Sequence, residues 1–365
     1  MTPTVQGLGG RSVGVTVCAN GIGHAVRALR VLRVLVEEHG PVGGVVVTLT
    51  REQLAALRPD AVDWLVAHRV QVIHDVVEPG VGLDGAADGY TDGRLSAWVG
   101  RWEASELART DLVVSDNLTG VLHARPDAVL MGSFLWSDVL EAIAHGPAVA
   151  AFVAEERTLL ATHRPPMLAT ADVVHPGVIA RTAAVLLPWW DDRQQPATIA
   201  MDGPGDVVAV LGGRTGAADD RLGRVADALV AAGRQVVTDP SVLEGPSRRR
   251  VGLLVCRPGL GTVTSGVVGS VPMMLVREPG NPELDHTAAA LVRLGLARTL
   301  EGTDDTDPEA VLAAVEVLEE DAVGSSMRMA LASRPTGGHR AAARWLVQYA
   351  REGAAPVAGP EGTAW

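Results

Sequence analysis

Short apolar runs rich in β-branched residues alternate along this chain with stretches whose apolar positions recur at helical spacing. Ser12–Cys18 is the first such run and predicts a strand. After a loop holding Asn20, Gly21 and Gly23, residues Ala25–Glu38 set Val26, Leu29, Leu32, Leu35 and Val36 at the spacing of a helix. His39, Gly40 and Pro41 end it. Val45–Leu49 predicts a second strand, Arg51–Leu57 a short helix and Val70–His74 a third strand. Residues 78–93, rich in Gly and Asp, predict an exposed loop, and Leu95–Arg109 a helix carrying Trp98 and Trp102. Two more strands, Asp111–Ser115 and Asp127–Met131, run into Asp116-Asn117 and into Gly132-Ser133-Phe134-Leu135-Trp136. Weaker signals over Val173–Pro188 close this half. Strand, loop, helix and strand in repeated order predict a parallel, doubly wound sheet.

The composition changes between Pro188 and Gly205, where Trp189, Trp190, Asp191, Asp192, Pro196 and Pro204 read as a linker. A second α/β series follows: a strand at Asp206–Leu211, a helix over 219–232, strands at Gln235–Thr238, Gly252–Cys256 and Pro272–Arg277, and a helix at His286–Leu294. Ala341–Arg351 is an amphipathic helix. The expected division is therefore residues 1–190, residues 205–335, a C-terminal helix over 336–352 and a disordered tail over 353–365.

Length and charge narrow the roles. The 365 residues suit two domains, each large enough for its own core. A net charge of −12 disfavours a nucleic-acid partner. The chain has no lysine, which excludes a lysine Schiff base or a phosphate-loop lysine. Cys18 and Cys256 are too few for a disulfide framework or a zinc cluster, and no metal is expected. There is no apolar run of membrane-spanning length and no signal-peptide pattern, so a cytoplasmic location is expected, with contact to the inner face of the membrane left open.

Three segments carry candidate chemistry. Gly21-Ile22-Gly23-His24-Ala25-Val26-Arg27 follows the first strand and opens a helix. There the glycines admit a ligand, the helix N-terminus offers free N–H groups, and His24 can act as a base. A tight turn with a hydrogen-bonded histidine is the alternative. Gly212-Gly213-Arg214-Thr215 follows a strand and suits a diphosphate, or is a plain turn. Arg257-Pro258-Gly259-Leu260-Gly261-Thr262 precedes Val271-Pro272-Met273-Met274-Leu275-Val276 and then Glu283-Leu284-Asp285-His286. The last group suits sugar hydroxyls, or is an N-capping cluster. Asp116 at a strand end is a candidate second base, or half of a turn-forming pair. Ser133 and Trp136 are placed similarly. For Trp98, Trp102, Trp189 and Trp190, core packing is the better expectation than stacking on sugars.

In that order the segments resemble the GT-B superfamily of nucleotide-sugar glycosyltransferases, most nearly its MurG-type branch and the related hydrolases of UDP-linked amino sugars. The resemblance implies an α/β fold of two Rossmann-like domains facing a cleft. It implies a nucleotide-sugar donor with Gly259, Gly261 and Thr262 near its phosphates or base and Glu283, Asp285 and His286 near the sugar; Gly212, Gly213, Arg214, Thr215 and Arg257 are expected to join this site, and the donor to be UDP- or TDP-linked. It implies a first domain that meets an acceptor (a small molecule, a glycan or a lipid-linked glycan); from their places after strands, Gly21, Gly23, Ser133 and Trp136 are expected on that side. His24 matches the family's N-terminal histidine near the reacting centre, and His24 or Asp116 would take the acceptor proton in a metal-independent, inverting transfer. Ser265 stands where the family usually has a ribose-gripping glutamate. That departure motivates an accessory-subunit alternative, beside a partner glycosyltransferase or in a homodimer. Water in place of the acceptor would give a hydrolase.

Overall fold

The computed structural model describes residues 8–19, 21–40, 42–74, 106–143, 146–192, 207–212, 217–243, 251–277, 280–300 and 308–353. Its contacts divide the chain into two compact units, Met1–Pro188 with Gly338–Trp365, and Trp189–Gly337.

The first unit is built on a parallel seven-stranded sheet. Its strands are β1 (Ser12–Val17), β2 (Gly44–Thr48), β3 (Gln71–Ile73), β4 (Leu112–Asp116), β5 (Val129–Met131), β6 (Pro166–Thr170) and β7 (Ala183–Leu187), in the order β3-β2-β1-β4-β5-β6-β7. The central strands are buried on both faces, which is why they read as near-continuous apolar runs. Helix α1 (Ile22–His39) buries Ala25, Ala28, Leu29, Leu32 and Leu35, and it begins three residues before its apolar spacing predicted. Its N-cap Gly21 has φ 98°, a conformation that glycine adopts without strain. Helix α2 (Arg51–Ala56) opens with a capping box, Thr50 with Gln53.

Sequence reading missed α3 (Pro59–Ala67), α4 (Trp136–Ile143), α5 (Pro147–His163) and β6, and α6 (Pro176–Arg181) lies in the segment of weak signal. The loop 78–93 and most of the predicted helix 95–109, with Trp98 and Trp102, lie outside the described residues. Leu107–Arg109 forms a 3₁₀ turn.

The second unit holds a parallel five-stranded sheet of β8 (Val207–Leu211), β9 (Gln235–Val237), β10 (Val251–Cys256), β11 (Met273–Leu275) and β12 (Arg298–Thr299), in the order β12-β11-β10-β8-β9. Its helices are α7 (Ala217–Ala231), α8 (Leu260–Gly269), α9 (Pro282–Arg293), α10 (Pro308–Glu319) and α11 (Asp321–Ala332). Trp189 and Trp190 are buried, and Trp189 bridges to Thr336, so the start of the expected linker is not an exposed segment. The tail beyond Gly353 lies outside the described residues. The final helix α12 (Gly338–Glu352) packs on α1 in the first unit.

Candidate functional site

In parallel sheets the carboxyl ends of all strands share one edge, and ligands bind there at the point where strand order reverses. In the first sheet that point lies between β1 and β4, which pair with Val17 opposite Asp116. His24 follows β1 and Asp116 ends β4, so the two residues straddle it.

They are bonded to each other. His24 Nδ1 lies 2.6 Å from Asp116 Oδ1. Arg27, one turn further along α1, forks onto the same carboxylate, with Nε to Oδ2 at 2.9 Å and Nη2 to Oδ1 at 2.7 Å. Asp116 is 0% exposed, Arg27 8% and His24 14%. Burial pushes the Asp116 carboxyl up. The charges of Arg27 and His24 and the hydrogen bonds from both outweigh it and hold the group below the usual carboxylate range. An ionised carboxylate only accepts hydrogen bonds, so Nδ1 donates the 2.6 Å bond and carries the ring proton. The 3.2 Å approach of Arg27 Nη2 to Nδ1 is then a contact rather than a second bond. No described residue hydrogen-bonds Nε2, which is left as an acceptor.

This geometry corrects the reading of Asp116 as a second base that would meet the acceptor. Its oxygens are enclosed and engaged by His24 and Arg27, so it can orient the imidazole but not touch a substrate.

The loop before His24 is pinned from α2. Gln53, 4% exposed, donates through Nε2 to the carbonyls of Cys18 (2.7 Å) and Gly21 (3.1 Å), while its Oε1 accepts from the Thr50 N–H. The reach of Gln53 to the glycine loop is a tertiary contact that local spacing does not show. Beyond Gly21 and Gly23, no described atom lies within 4 Å of where a side-chain carbon would stand. Backbone at the start of α1 is therefore open to a ligand.

Ser133 and Trp136 do not offer the acceptor surface expected of them. Trp136 is 3% exposed and meets Phe134 edge-on at 5.0 Å, because it begins α4 inside the core. Ser133 is buried, and its carbonyl accepts from the His175 N–H at 2.7 Å. His175, which sequence reading did not single out, caps α6 and lies 3.3 Å from Asp138, which also pairs with Arg181. Between these loops Asn117 (φ 56°) lies against Gly132 (φ 155°), where any side chain would collide with Asn117 Oδ1.

The second sheet repeats the arrangement. Its order reverses between β8 and β10, with Leu211 opposite Cys256, so Gly212 and Arg257 stand on neighbouring strand ends. Gly212 is exposed and Arg257 buried. Gly213, Arg214 and Thr215 lie outside the described residues. Gly259 is the N-cap of α8 and makes no side-chain cap, while Gly261 and Thr262 form the first turn. Ser265 partly faces solvent and reaches the Gly261 carbonyl at 3.4 Å.

Glu283, Asp285 and His286 lie within the first turns of α9 rather than ahead of it. The cap is Asn281, whose Oδ1 accepts from the N–H groups of Glu283 (3.1 Å) and Leu284 (3.3 Å). Asp285 pairs with Arg277 at 3.1 Å. Gly212, Arg257–Thr262 and Glu283–His286 thus stand after β8, β10 and β11 on one sheet edge. Burial pushes the Cys256 thiol up to about 12, so it is no nucleophile. Among the described residues no group of three or more His, Cys, Asp or Glu converges on a metal position, and no helix is long and apolar enough to cross a membrane.

No family model matches the sequence, and no curated protein matches it. Solved structures do. The chain is similar to UGT2 of Phytolacca americana complexed with UDP-2fluoro-glucose and pterostilbene, with TM-score 0.61, 15% identity and coverage of 94% of this chain and 99% of that one. It is similar to CalG4, the calicheamicin glycosyltransferase (TM-score 0.59, 19% identity, 94% and 99% covered). It also resembles the spinosyn rhamnosyltransferase SpnG complexed with spinosyn aglycone (TM-score 0.54, 14% identity, 92% and 99% covered). What these likenesses establish is the fold, which is that of the GT-B glycosyltransferases.

Proposed function

We propose that this chain moves a sugar from a UDP- or TDP-linked donor to a hydroxyl group of a small-molecule acceptor, with inversion at the sugar carbon. The observation that carries the reading is the His24–Asp116 pair across the reversal point of the first sheet, beside open backbone at the start of α1. His24 Nε2 takes the acceptor proton as the acceptor oxygen attacks C1 of the sugar, and Asp116 holds the ring in the required tautomer. The bond from C1 to the diphosphate breaks, and the nucleoside diphosphate leaves. On the second unit, Arg257 and the N-terminal amides of α8 at Gly261 and Thr262 take up its negative charge. Glu283 and His286 lie after β11 on the same sheet edge and are assigned to sugar hydroxyls, with Asp285 and its Arg277 partner beside them. Two solved neighbours support the substrate classes: UGT2 is complexed with UDP-2fluoro-glucose and pterostilbene, and SpnG with spinosyn aglycone.

The test begins with thermal denaturation in the presence of UDP-, TDP-, GDP-, ADP- and CDP-sugars, because a ligand of the folded state raises the midpoint. Donors that shift it are then incubated with pterostilbene and with spinosyn aglycone while nucleoside diphosphate release is followed. Release that requires the acceptor and is lost in His24→Ala supports the reading. Release of free sugar without acceptor replaces it with hydrolysis. Absence of any shift overturns it in favour of an accessory subunit.

A further inference from the structure

Asp116 is the most enclosed ionisable group at the site, and a bare carboxylate there would face a large desolvation cost. The fork from Arg27 meets both carboxylate oxygens, on a side chain that is itself buried. Arg27 sits three residues after His24, so α1 delivers the base and the guanidinium to the same carboxylate from one face. With a neutral imidazole the trio holds one positive and one negative charge and is balanced.

We infer that Arg27 is a positioning residue for the proposed reaction: by balancing the buried charge of Asp116 it keeps the His24 proton on Nδ1 and leaves Nε2 bare to receive a proton. The inference rests on the transfer reading for its kinetic consequence only. Without the guanidinium, the enclosed pair carries an uncompensated negative charge and takes up a proton. If that proton settles on the imidazole, both ring nitrogens are protonated. If it settles on Asp116, the acid donates to Nδ1 and the neutral ring carries its proton on Nε2. In either arrangement Nε2 no longer accepts.

The experiment is nitrogen-15 NMR of histidine-labelled full-length protein in weakly alkaline buffer, with His24→Gln used to assign the His24 signals among the 10 histidines. The wild type is expected to show a bare Nε2 and a protonated Nδ1. Arg27→Gln, with its fold checked by circular dichroism and thermal midpoint, is expected to show a protonated Nε2. Once a donor and acceptor are in hand, it should also lose roughly 100-fold in kcat with little change in KM. A folded Arg27→Gln protein in which Nε2 stays bare overturns the inference. Should that variant fail to fold, Arg27→Lys decides, because it keeps the charge and loses the fork. A bare Nε2 in it supports charge balance, and a protonated one overturns it. The NMR arm needs neither donor nor acceptor, so its failure leaves glycosyl transfer standing. A positive NMR result without turnover would count against transfer alone.

Discussion

At the scale of single residues, Asp116 shows how burial and pairing decide a role. Its carboxyl is held below the usual carboxylate range in the fold, whereas in the unfolded chain it titrates normally. The unfolded chain therefore binds the proton first as pH falls. The stability that Asp116 contributes is present above the ordinary carboxylate range and is lost as pH drops through that range toward the depressed folded value. Asp116→Asn removes this acid-side loss but takes the carboxylate charge away from the buried Arg27 guanidinium, so at neutral pH it is expected to cost about 3–5 kcal/mol in denaturant unfolding. With the donor and acceptor identified, His24→Ala is expected to lower kcat by roughly 10²- to 10⁴-fold. Wild-type turnover in His24→Ala would remove the base assignment. Much of this site was legible in the sequence. The Gly-Ile-Gly-His-Ala-Val-Arg loop after a strand and the Asp116-Asn117 strand end both pointed to the sheet edge. What was not legible is which of the two is enclosed, because that depends on how two residues 92 positions apart in the chain are brought together. The same limit misplaced Trp136, an aromatic whose exposure is decided by packing against Phe134 and not by its position after a strand. Gly132 makes a matching case. Gly132→Ala is expected to lower stability by about 1–3 kcal/mol, through its positive φ and a collision with Asn117. Removing the obstructing side chain with Asn117→Gly should restore part of the loss. An unchanged midpoint in the single variant would mean that this loop relaxes freely.

At the scale of elements, strands buried on both faces were easy to read and helices of the middle segment were not. β1, β4 and β8 stand out as continuous β-branched runs. α4 and α5 were missed although Pro147 opens α5 at a position that favours proline. What holds these two helices is a tertiary contact. Glu156 of α5, 2% exposed, accepts from the backbone N–H of Ser137 at the start of α4 (2.6 Å) and from the Thr119 hydroxyl (2.7 Å). One helix thus supplies the N-terminal cap of another, a partnership that local spacing cannot reveal. Burial pushes the Glu156 carboxyl above its ordinary range, with the nearby Asp138 charge adding to the rise against the hydrogen bonds from Ser137 and Thr119. Here the folded state binds the proton more readily than the unfolded chain, so stability falls as pH rises from the ordinary carboxylate range through the raised value. Glu156→Gln can keep both contacts, its oxygen accepting from Ser137 and its amide donating to Thr119. It is expected to fold, to lose that pH dependence and to match or exceed wild-type stability at neutral pH. Urea unfolding of both proteins across the range checks this, and parallel pH curves would mean that Glu156 is not the titrating group.

At the scale of the whole chain, the two-part α/β organisation was readable from strand–loop–helix repetition and from the change in composition near Pro188. The path of the chain was not, because nothing in a terminal amphipathic pattern says which apolar surface it will cover. Residues 338–352 leave the second unit and return to the first. α12 buries Ala342, Ala343, Leu346 and Val347, pairs Arg340 with Glu38 of α1, and donates from the Tyr349 hydroxyl to the Asp127 carbonyl at 3.0 Å. Its principal neighbour is α1, the helix that carries His24 and Arg27. Leu346 and Val347 each contribute on the order of 1.5–3 kcal/mol and the alanines less, so losing this helix exposes surface worth a substantial part of a domain's usual stability margin of about 5–15 kcal/mol. Truncation after Gly337 is therefore expected to lower the unfolding midpoint of the first unit and to abolish the wild-type His24 ring-nitrogen signals, although every residue of the His24–Asp116–Arg27 trio is retained. Restoring the helix as a separate peptide should recover both signals in proportion to its occupancy. Substituting Leu346 by Asp in that peptide should prevent recovery, since a charge would then be buried against α1 without a partner. A truncated chain with an unchanged midpoint and unchanged His24 signals would mean that the first unit is complete without its last helix.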